Sequence, residues 1–195
     1  MRLGVFGGSF DPPHLGHLIV AQDAALALSL DRVLFVPAAV PPHKRGQSLS
    51  AGEVRLEMTR AAIAGNPLFE ASDVELTRTG PSYTIETLRE LVTRTRGDAE
   101  ELALFLLMGV DQFREFHTWR EPEEIARLAS LAVFARAGEE IGWPGVDVAF
   151  QPVPVTRVDV SSTDIRRRVA AGEPIRYLVP PGVEEIIRRE GLYQG

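Results

Sequence analysis

Short apolar runs alternate along the chain with longer stretches in which apolar residues recur at helical spacing. The apolar runs predict four buried strands, at residues 3–6, 33–36, 102–108 and 131–135. The helical stretches predict four helices, at residues 14–28, 51–64, 84–96 and 122–129. Strands that are apolar on both faces are typical of a parallel sheet covered by helices. The alternation therefore predicts an α/β fold, a Rossmann-like open, mainly parallel sheet with helices on both faces.

The first predicted helix carries one formal charge, Asp23, between residues 18 and 30. A helix that is apolar on nearly all sides is usually packed deeply. We therefore expect this helix to lie buried against the sheet, with its N-terminus at the carboxyl end of the first strand.

In the C-terminal part of the chain, from about residue 160, the sequence pattern predicts helices and no strands. Two prolines at 180 and 181 precede a short predicted helix over residues 183–189, and proline fits the first turn of a helix. A length of 195 residues suits one domain with a sizeable core. We therefore expect a single domain over residues 1–195 with a helical C-terminal portion.

The amino-acid composition excludes several classes of protein. The chain has 21 Lys and Arg against 27 Asp and Glu, which gives a net charge of −6. A negative balance argues against a general nucleic-acid binder. The absence of cysteine excludes disulfides and thiolate metal sites. The sequence shows neither a bilayer-spanning segment nor the long apolar stretch of a signal peptide, so we expect a cytoplasmic protein with no membrane partner.

The string GGSFDPPHLGH, residues 7–17, directly follows the first predicted strand. In an open α/β sheet, ligands bind beyond the carboxyl ends of the strands. Gly7 and Gly8 allow a sharp turn and let backbone N–H groups approach an anion. Ser9 adds a hydroxyl donor. This order of residues predicts a phosphate site at the first turn.

Two histidines strengthen that prediction. His14 and His17 are three residues apart in a first helical turn, so they project from one face. Such a pair can donate to phosphate oxygens with the help of the helix dipole, and Gly16 leaves space for a ligand to pass. Taken alone, each fragment of this string could also be a common loop in which one histidine caps the helix. The string also lacks the GxGxxG of dehydrogenases and the GxxxxGK[ST] of P-loop proteins.

A second candidate phosphate element is SSTDIR, residues 161–166. Ser161 and Asp164 have a spacing like that of a capping box. The hydroxyls at this helix start, followed by Arg166, form a cationic and donor-rich terminus that suits pyrophosphate. An ordinary serine cap beside a solvated arginine face is the alternative.

The two motifs together resemble the HxGH nucleotidyltransferase superfamily, which includes nicotinate-nucleotide and pantetheine-phosphate adenylyltransferases. The resemblance implies that His14 and His17 are catalytic and stabilise the α-phosphate of ATP. It also implies an ATP-binding set, which comprises Gly7, Gly8, Ser9, Phe10, Lys44, Gly109, Asp111, Ser161, Ser162, Thr163 and Arg166. In this set, Asp111 would lie near the nucleotide sugars, and Lys44, with His43, would reach phosphate from a proline-rich loop.

Three further stretches narrow the resemblance to nicotinate-nucleotide adenylyltransferases: GPSYT at 80–84, GVD at 109–111 and FHTWR at 116–120. The resemblance implies that a pyridine ring stacks on Trp119 while its carboxylate meets backbone amides near Thr84 and at Arg120. The implied nucleotide-binding residues are Ser82, Tyr83, Thr84, Trp119 and Arg120. A core position for Trp119 and a helix-capping role for Asp111 are the alternatives.

The expected reaction is an in-line attack by the phosphate of nicotinate mononucleotide on the α-phosphorus of ATP, giving deamido-NAD and pyrophosphate. No covalent intermediate is required, because the attacking group is already an anion. We expect Mg²⁺ to arrive with ATP and to be held mainly by phosphates, since no carboxylate cage is evident. Whether the protein forms a homo-oligomer stays open. The alternatives are a pantetheine-phosphate adenylyltransferase and a non-catalytic nucleotide-binding module.

Overall fold

The computed structural model describes residues 1–39, 49–78, 80, 82–95, 102–135 and 140–194. Within these ranges, six strands form one sheet: β1 (Arg2–Gly8), β2 (Arg32–Pro37), β3 (Phe69–Ala71), β4 (Ala103–Gly109), β5 (Ser130–Ala135) and β6 (Phe150–Pro154). The helices are α1 (Leu15–Ala27), α2 (Gly52–Ile63), α3 (Thr84–Thr95), α4 (Val110–Arg114), α5 (Pro122–Leu128), α6 (Ser162–Ala170) and α7 (Pro181–Arg189). A 3₁₀ turn covers Phe116–Thr118. His43 and Lys44, and with them their predicted phosphate contacts, lie outside the described residues.

The strand order places two strand ends side by side. The order is β3-β2-β1-β4-β5-β6, and every neighbouring pair is parallel. The chain builds from β1 outward to β3 and then returns to build β4 to β6 on the other side. The carboxyl ends of β1 and β4, at Gly8 and Gly109, are therefore adjacent while their connections diverge. In an open α/β sheet, this reversal opens a crevice beyond the strand ends.

Helices cover both faces of the sheet, as the apolar strands predict. Alternate residues of a strand point to opposite faces. Val5 belongs to the core that includes Leu88 of α3, whereas the next residue, Phe6, belongs to the core that includes Ala24 of α1. The predicted Rossmann-like α/β fold is confirmed.

The C-terminal helices form a third core with α2. Met58 of α2 is fully buried against Ile165 of α6 and against Val183 and Ile186 of α7. Pro181 lies in the first turn of α7, where its missing N–H costs no intrahelical hydrogen bond. The C-terminal portion is thus packed on the helix that follows β2 in the chain, rather than on the sheet itself.

The predicted elements are found with ends shifted by one or two residues, but three elements were missed. β3 has only three residues, too few for a pattern. β6 carries Pro152 and Pro154 and an exposed Phe150, and proline is tolerated in edge strands because one side needs no ladder hydrogen bond. The short α4 directly continues the apolar strand β4. All three depend on neighbours in space more than on local sequence.

α1 is less deeply packed than its composition predicts. Its residues against the sheet are small, Ala21, Ala24 and Ala25, while Leu26 is 81% exposed. The helix therefore packs against the sheet as expected, but its burial is limited to one face. The expectation for its N-terminus is confirmed, since α1 begins shortly after the carboxyl end of β1.

Candidate active site

A cavity of about 640 Å³ opens beyond the carboxyl ends of β1 and β4. Its walls come from the turn after β1, the start of α3, the segment after α4 and the residues before α6. The predicted site residues that line it are Gly7, Gly8, Ser9, His14, His17, Ser82, Tyr83, Thr84, Gly109, Trp119 and Arg120. The structure therefore brings motifs from three separate parts of the sequence into one cavity.

The β1–α1 turn, residues 9–14, is built differently from the prediction. Gly7 and Gly8 are the last residues of β1 and continue its extended backbone. The chain enters the left-handed region at Phe10, with a φ of 46°, which non-glycine residues adopt uncommonly. A Cβ on Gly8 would lie 3.0 Å from the Phe10 ring. Gly8 is needed for this close packing, and the prediction that the two glycines make the turn is wrong.

The side chain of Phe10 lies in the core rather than in the cavity wall. It is 1% exposed and packs edge-on against Phe6 and His17, with ring centroids 5.6 and 5.1 Å away. The predicted contact between Phe10 and ATP is therefore restricted to its backbone. Its ring instead supports His17 from behind.

His14 and His17 lie together at the start of α1, as their spacing predicts. His14 is the N-cap residue, and its ring stacks on that of His17 with centroids 3.7 Å apart and 26° between the planes. The Nδ1 of His17 accepts a hydrogen bond of 3.1 Å from the backbone N–H of His14. An accepting Nδ1 places the proton of neutral His17 on Nε2, which is then a donor.

The surroundings keep His14 uncharged at neutral pH. Its side chain is buried, and burial lowers its pKa from 6.5 to about 4. Two stacked imidazolium rings would also repel one another. Among the described residues, none provides a hydrogen-bond partner for the buried Nδ1 of His14. His14 therefore offers the cavity a neutral imidazole rather than a fixed charge.

Gly16 makes room for the ring of His14. A Cβ at Gly16 would lie 3.0 Å from both Cε1 and Nδ1 of His14, and 3.7 Å from the carbonyl oxygen of Val160. Gly16 also lines the cavity, so the passage of a ligand close to it stays a prediction. Any side chain at position 16 would have to displace the imidazole.

The SSTDIR motif packs against the β1–α1 turn from the far end of the chain. The Ser162 hydroxyl donates to the Pro12 carbonyl at 2.8 Å. The Arg166 guanidinium donates to the Asp11 carbonyl at 2.7 Å. The two motifs are therefore neighbours in space, although 150 residues separate Pro12 from Ser162.

The other polar groups of this motif serve the start of α6. The Ser161 hydroxyl caps the helix by accepting the backbone N–H of Asp164 at 3.1 Å. Arg166 also donates to the Thr163 hydroxyl at 3.3 Å. These hydroxyls and the guanidinium all bond within the protein, so the predicted contacts of Ser161, Ser162, Thr163 and Arg166 with ATP stay predictions.

Beneath the β1–α1 turn lies a buried polar group of residues, of which only Asp11 belongs to a motif. Asp11, Arg55 and Tyr193 form this group, which we call the anchor cluster; Asp11 and Arg55 are each 1% exposed. Arg55 extends from α2 and donates to the Ser9 carbonyl at 2.8 Å. The Tyr193 hydroxyl donates to the Asp11 carboxylate. In the sequence, Arg55 looks like any charged residue of an amphipathic helix, so its burial could not be inferred.

The start of α3 forms another wall of the cavity. Thr84 is the first residue of α3. Ser82 precedes it, and the Ser82 hydroxyl accepts the backbone N–H of Ala39 at 3.0 Å. The first N–H groups of a helix have no partner within the helix, so an anionic ligand can use them.

A buried carboxyl group, Glu75, lies in the same wall and was not predicted. The Thr87 hydroxyl donates to its Oε1 at 2.7 Å. Burial raises the pKa of Glu75, while hydrogen bonds from Thr87 and Ser82 and the charge of Arg78 act in the opposite direction. Glu75 therefore ties the segment before α3 to the first turns of that helix. Its only signal in the sequence is a lone glutamate upstream of GPSYT.

Trp119 and Arg120 complete the cavity on the side of the 3₁₀ turn. The half-buried Trp119 ring packs against Phe116, with centroids 5.4 Å apart, and also lines the cavity. Trp119 is thus both a core residue and a cavity residue. The Arg120 guanidinium lies 4.8 Å above the centre of the Tyr83 ring and pairs with Glu86 at 3.1 Å.

Gly109 and Asp111 are placed differently from each other. Gly109 ends β4 in the cavity wall, and its N–H donates to Oε1 of Gln112 at 3.2 Å. The Asp111 carboxylate is fully exposed and lies 3.8 Å from the Arg114 guanidinium. The predicted contact between Asp111 and the nucleotide sugars stays a prediction.

The residues that the structure describes hold neither a preformed metal site nor a membrane-spanning helix. In those residues, no group of three or more His, Asp or Glu side chains could hold a metal ion. No helix among them is long and apolar enough to cross a membrane.

The chain belongs to the cytidylyltransferase-like family of proteins. The model of the cytidylyltransferase-like family matches residues 5–168. The solved structure of Plasmodium falciparum nicotinic acid mononucleotide adenylyltransferase complexed with NaAD superposes with a TM-score of 0.78 at 16% identity, covering 98% of this chain and 97% of the other. At that identity, the likeness shows the shared fold.

Two curated relatives show which branch of this family the chain resembles. A probable nicotinate-nucleotide adenylyltransferase of Thermus thermophilus is 48% identical over 197 residues, which span 100% of both chains. A probable nicotinate-nucleotide adenylyltransferase of Shouchella clausii is 44% identical over 196 residues, covering 98% of this chain and 96% of the relative. The chain belongs to the nicotinate-nucleotide adenylyltransferase family, which confirms the resemblance drawn from its motifs.

Proposed function

We propose that this protein joins nicotinate mononucleotide to ATP, forming deamido-NAD and releasing pyrophosphate. The observation that carries the proposal is the single cavity lined both by the stacked histidines and by Trp119, because one cavity can then hold both substrates. Its volume of about 640 Å³ lies within the usual range of small-molecule sites, about 300–1,000 Å³. Membership of the family, with similarity to its relatives over the full length of the chain, supports the assignment.

The reaction is a direct in-line displacement at the α-phosphorus of ATP by the phosphate of the mononucleotide. The protein positions the two substrates and neutralises the charge that develops on the phosphate oxygens. The Nε2–H of His17 donates to an α-phosphate oxygen, and neutral His14 acts beside it. Neutral donors suit this task, since they stabilise the transition state without binding a free anion too strongly. Lys44 and Arg166 hold the outer phosphates.

Mg²⁺ enters as the complex with ATP and supplies charge neutralisation on the phosphates. The described residues offer no cluster of carboxylates or histidines to bind it. Phosphate oxygens and water would supply most of its ligands, a mode that Mg²⁺ commonly adopts.

Selection of the second substrate depends on the walls opposite the histidines. The pyridine ring stacks on Trp119, which lines the same cavity as Ser82, Tyr83 and Arg120. Its carboxylate accepts backbone N–H groups near Thr84 and at Arg120. The NH₂ of a nicotinamide would face those donors instead and leave them unpaired, which costs binding energy.

A parallel assay tests the proposal. The protein is incubated with MgATP and, separately, with nicotinate mononucleotide, nicotinamide mononucleotide or phosphopantetheine, and pyrophosphate release is measured. We expect kcat/KM for nicotinate mononucleotide to exceed that for the nicotinamide form by about 100-fold or more. Equal efficiency would contradict the role of the carboxylate, and faster turnover of phosphopantetheine would identify the alternative substrate. If no substrate releases pyrophosphate, the chain is a nucleotide-binding module without this activity.

A further inference from the structure

Arg55 is a buried cation whose place in the fold the proposed reaction does not explain. Its side chain starts on α2 and is 1% exposed. Removing a guanidinium from water is costly unless its donors are satisfied. Burial accordingly lowers the pKa of Arg55, while the charge of the nearby Asp11 carboxylate acts in the opposite direction.

All three nitrogen atoms of the guanidinium donate to main-chain carbonyl groups. Nε donates to Ser50 at 2.9 Å, Nη1 to Ser9 at 2.8 Å and Nη2 to Ala39 at 3.3 Å. These carbonyls belong to the β1–α1 turn, to the end of the β2 segment and to the residues before α2. One side chain therefore fixes three backbone segments relative to one another.

The other members of the anchor cluster tie the same place to the C-terminus. The Asp11 carboxylate accepts the backbone N–H of Ser50 at 3.2 Å and also accepts the Tyr193 hydroxyl. Burial, and next the hydrogen bond to Asp11, raise the pKa of Tyr193. Tyr193 therefore keeps its proton and remains a donor to Asp11.

The hydrogen bond from Arg55 to the Ser9 carbonyl affects the cavity because it fixes the peptide bond that follows Ser9. Ser9 lines the cavity, and the Ser9–Phe10 peptide is trans. In a planar trans peptide, the carbonyl and the following N–H point in opposite directions. By holding the Ser9 carbonyl, Arg55 therefore holds the Phe10 N–H pointing away from itself. The left-handed φ of Phe10 makes this orientation costly to keep without support.

We propose that Arg55 is a positioning residue for ATP, which sets the Ser9–Phe10 peptide and holds the β1–α1 turn in the geometry that receives the phosphates. Asp11 and Tyr193 assist by fixing the same turn to the chain's C-terminal end. This inference rests on the proposed function, because it assigns the phosphates of ATP to that turn. A purely structural role, in which Arg55 only joins α2 to the sheet, is the competing explanation.

The test compares Arg55→Lys with Met58→Ala. Lysine keeps the charge but cannot donate to three carbonyls in the planar fork of arginine. Met58 lies on the same helix and is fully buried in the third core rather than in the anchor cluster, so its variant is a matched control for lost stability. All assays are run at a temperature where circular dichroism shows each variant folded.

Binding and turnover are measured separately. For Arg55→Lys, we expect the Kd for α,β-methylene-ATP to rise about 10-fold and kcat to fall about 100-fold, while KM for nicotinate mononucleotide changes less than about 3-fold. Met58→Ala should lower Tm without changing this Kd. The proposal is overturned if Arg55→Lys leaves both Kd and kcat within about 2-fold of the wild type, or if Met58→Ala reproduces the same shifts.

Tyr193→Phe keeps the proposal testable if Arg55→Lys does not fold. It removes only one oxygen, so we expect an increase of about 3- to 10-fold in the Kd for α,β-methylene-ATP; an unchanged Kd would contradict a role for the anchor cluster. Binding of the analogue requires no second substrate. If the wild type fails to adenylate nicotinate mononucleotide, the proposed function fails, yet this binding comparison still decides whether Arg55 positions the turn.

Discussion

The two ends of the cavity are constructed in different ways. At the phosphate end, the β1–α1 turn and the histidine pair are supported from below by buried groups, with Phe10 behind His17 and Arg55 beneath Ser9. At the pyridine end, which comprises the start of α3 with Trp119 and Arg120, support comes partly from exposed ion pairs. Arg120 with Glu86 is one of these.

This difference assigns different tasks to the two ends. Buried groups that are hydrogen-bonded or closely packed hold their positions well, which suits donors that must act on a transition state. Exposed ion pairs contribute little energy and rearrange readily, which suits a region that distinguishes one substrate from another. We therefore expect changes at the phosphate end to lower kcat, and changes at the pyridine end to raise KM for the mononucleotide.

The largest effect is expected for His17→Ala. Removing a preorganised donor to a developing charge lowers kcat by about 10²- to 10³-fold, while α1 should remain folded because the change affects only its first turn. His117→Ala is the matched control, since it removes an imidazole that bonds to the Pro144 carbonyl outside the cavity lining. A near-wild-type kcat for His17→Ala in steady-state kinetics would contradict the different tasks assigned to the two ends of the cavity.

The burial of His14 should appear as a pH dependence of stability. Its pKa falls from 6.5 to about 4 on folding, so above pH 6.5 the ring is neutral in both states and contributes nothing. As pH falls from 6.5 to about 4, the unfolded chain takes up a proton that the folded protein does not, and stability is lost. The expected loss reaches roughly 3 kcal/mol at about 1.4 kcal/mol per pH unit.

Urea unfolding of the wild type and of His14→Gln measures this loss. The variant lacks the titrating ring and should lose less stability over the same pH range. Parallel curves for the two proteins would contradict a desolvated His14.

Trp119→Leu probes the pyridine end. Losing the stacking face should raise KM for nicotinate mononucleotide about 10-fold, as for other aromatic contacts with bases, while KM for ATP and kcat change little. Because Trp119 also packs on Phe116, Tm is measured alongside, and Trp119→Phe should recover most of the affinity. A fall in kcat with unchanged KM would reverse the assignment of tasks.

The smallest effect is expected for Arg120→Gln. Its side chain forms an exposed ion pair with Glu86 and a contact with the Tyr83 ring, whereas the proposed ligand contact is its backbone N–H. We expect KM for nicotinate mononucleotide to change by less than about 3-fold. A much larger increase, measured at several salt concentrations, would show that the guanidinium itself binds the substrate.

Much of the fold and the location of the site could be predicted because the sequence carries that information locally. Continuous apolar runs marked β1, β2, β4 and β5, and HxGH marked the start of α1. The support of the site could not be predicted in the same way. Nothing near Arg55 indicates that its partners are Ser9 and Ala39.

The conformation of the β1–α1 turn could not be predicted from the sequence either. Glycine usually signals left-handed backbone, yet Gly7 and Gly8 are extended and Phe10 adopts the positive φ. A phenylalanine is held there because its ring is fully packed against Phe6 and Phe35. That packing requires strands that are distant in sequence, so only the folded structure reveals it.

The stereochemical course at the α-phosphorus tests the central claim, direct transfer between two substrates held in one cavity, most directly. The enzyme is supplied with a single diastereomer of ATPαS and nicotinate mononucleotide, and the configuration of the thiophosphate in the product is determined by ³¹P NMR. A single in-line displacement predicts inversion at phosphorus. Retention would show two displacements through a nucleotidylated residue and would contradict the account.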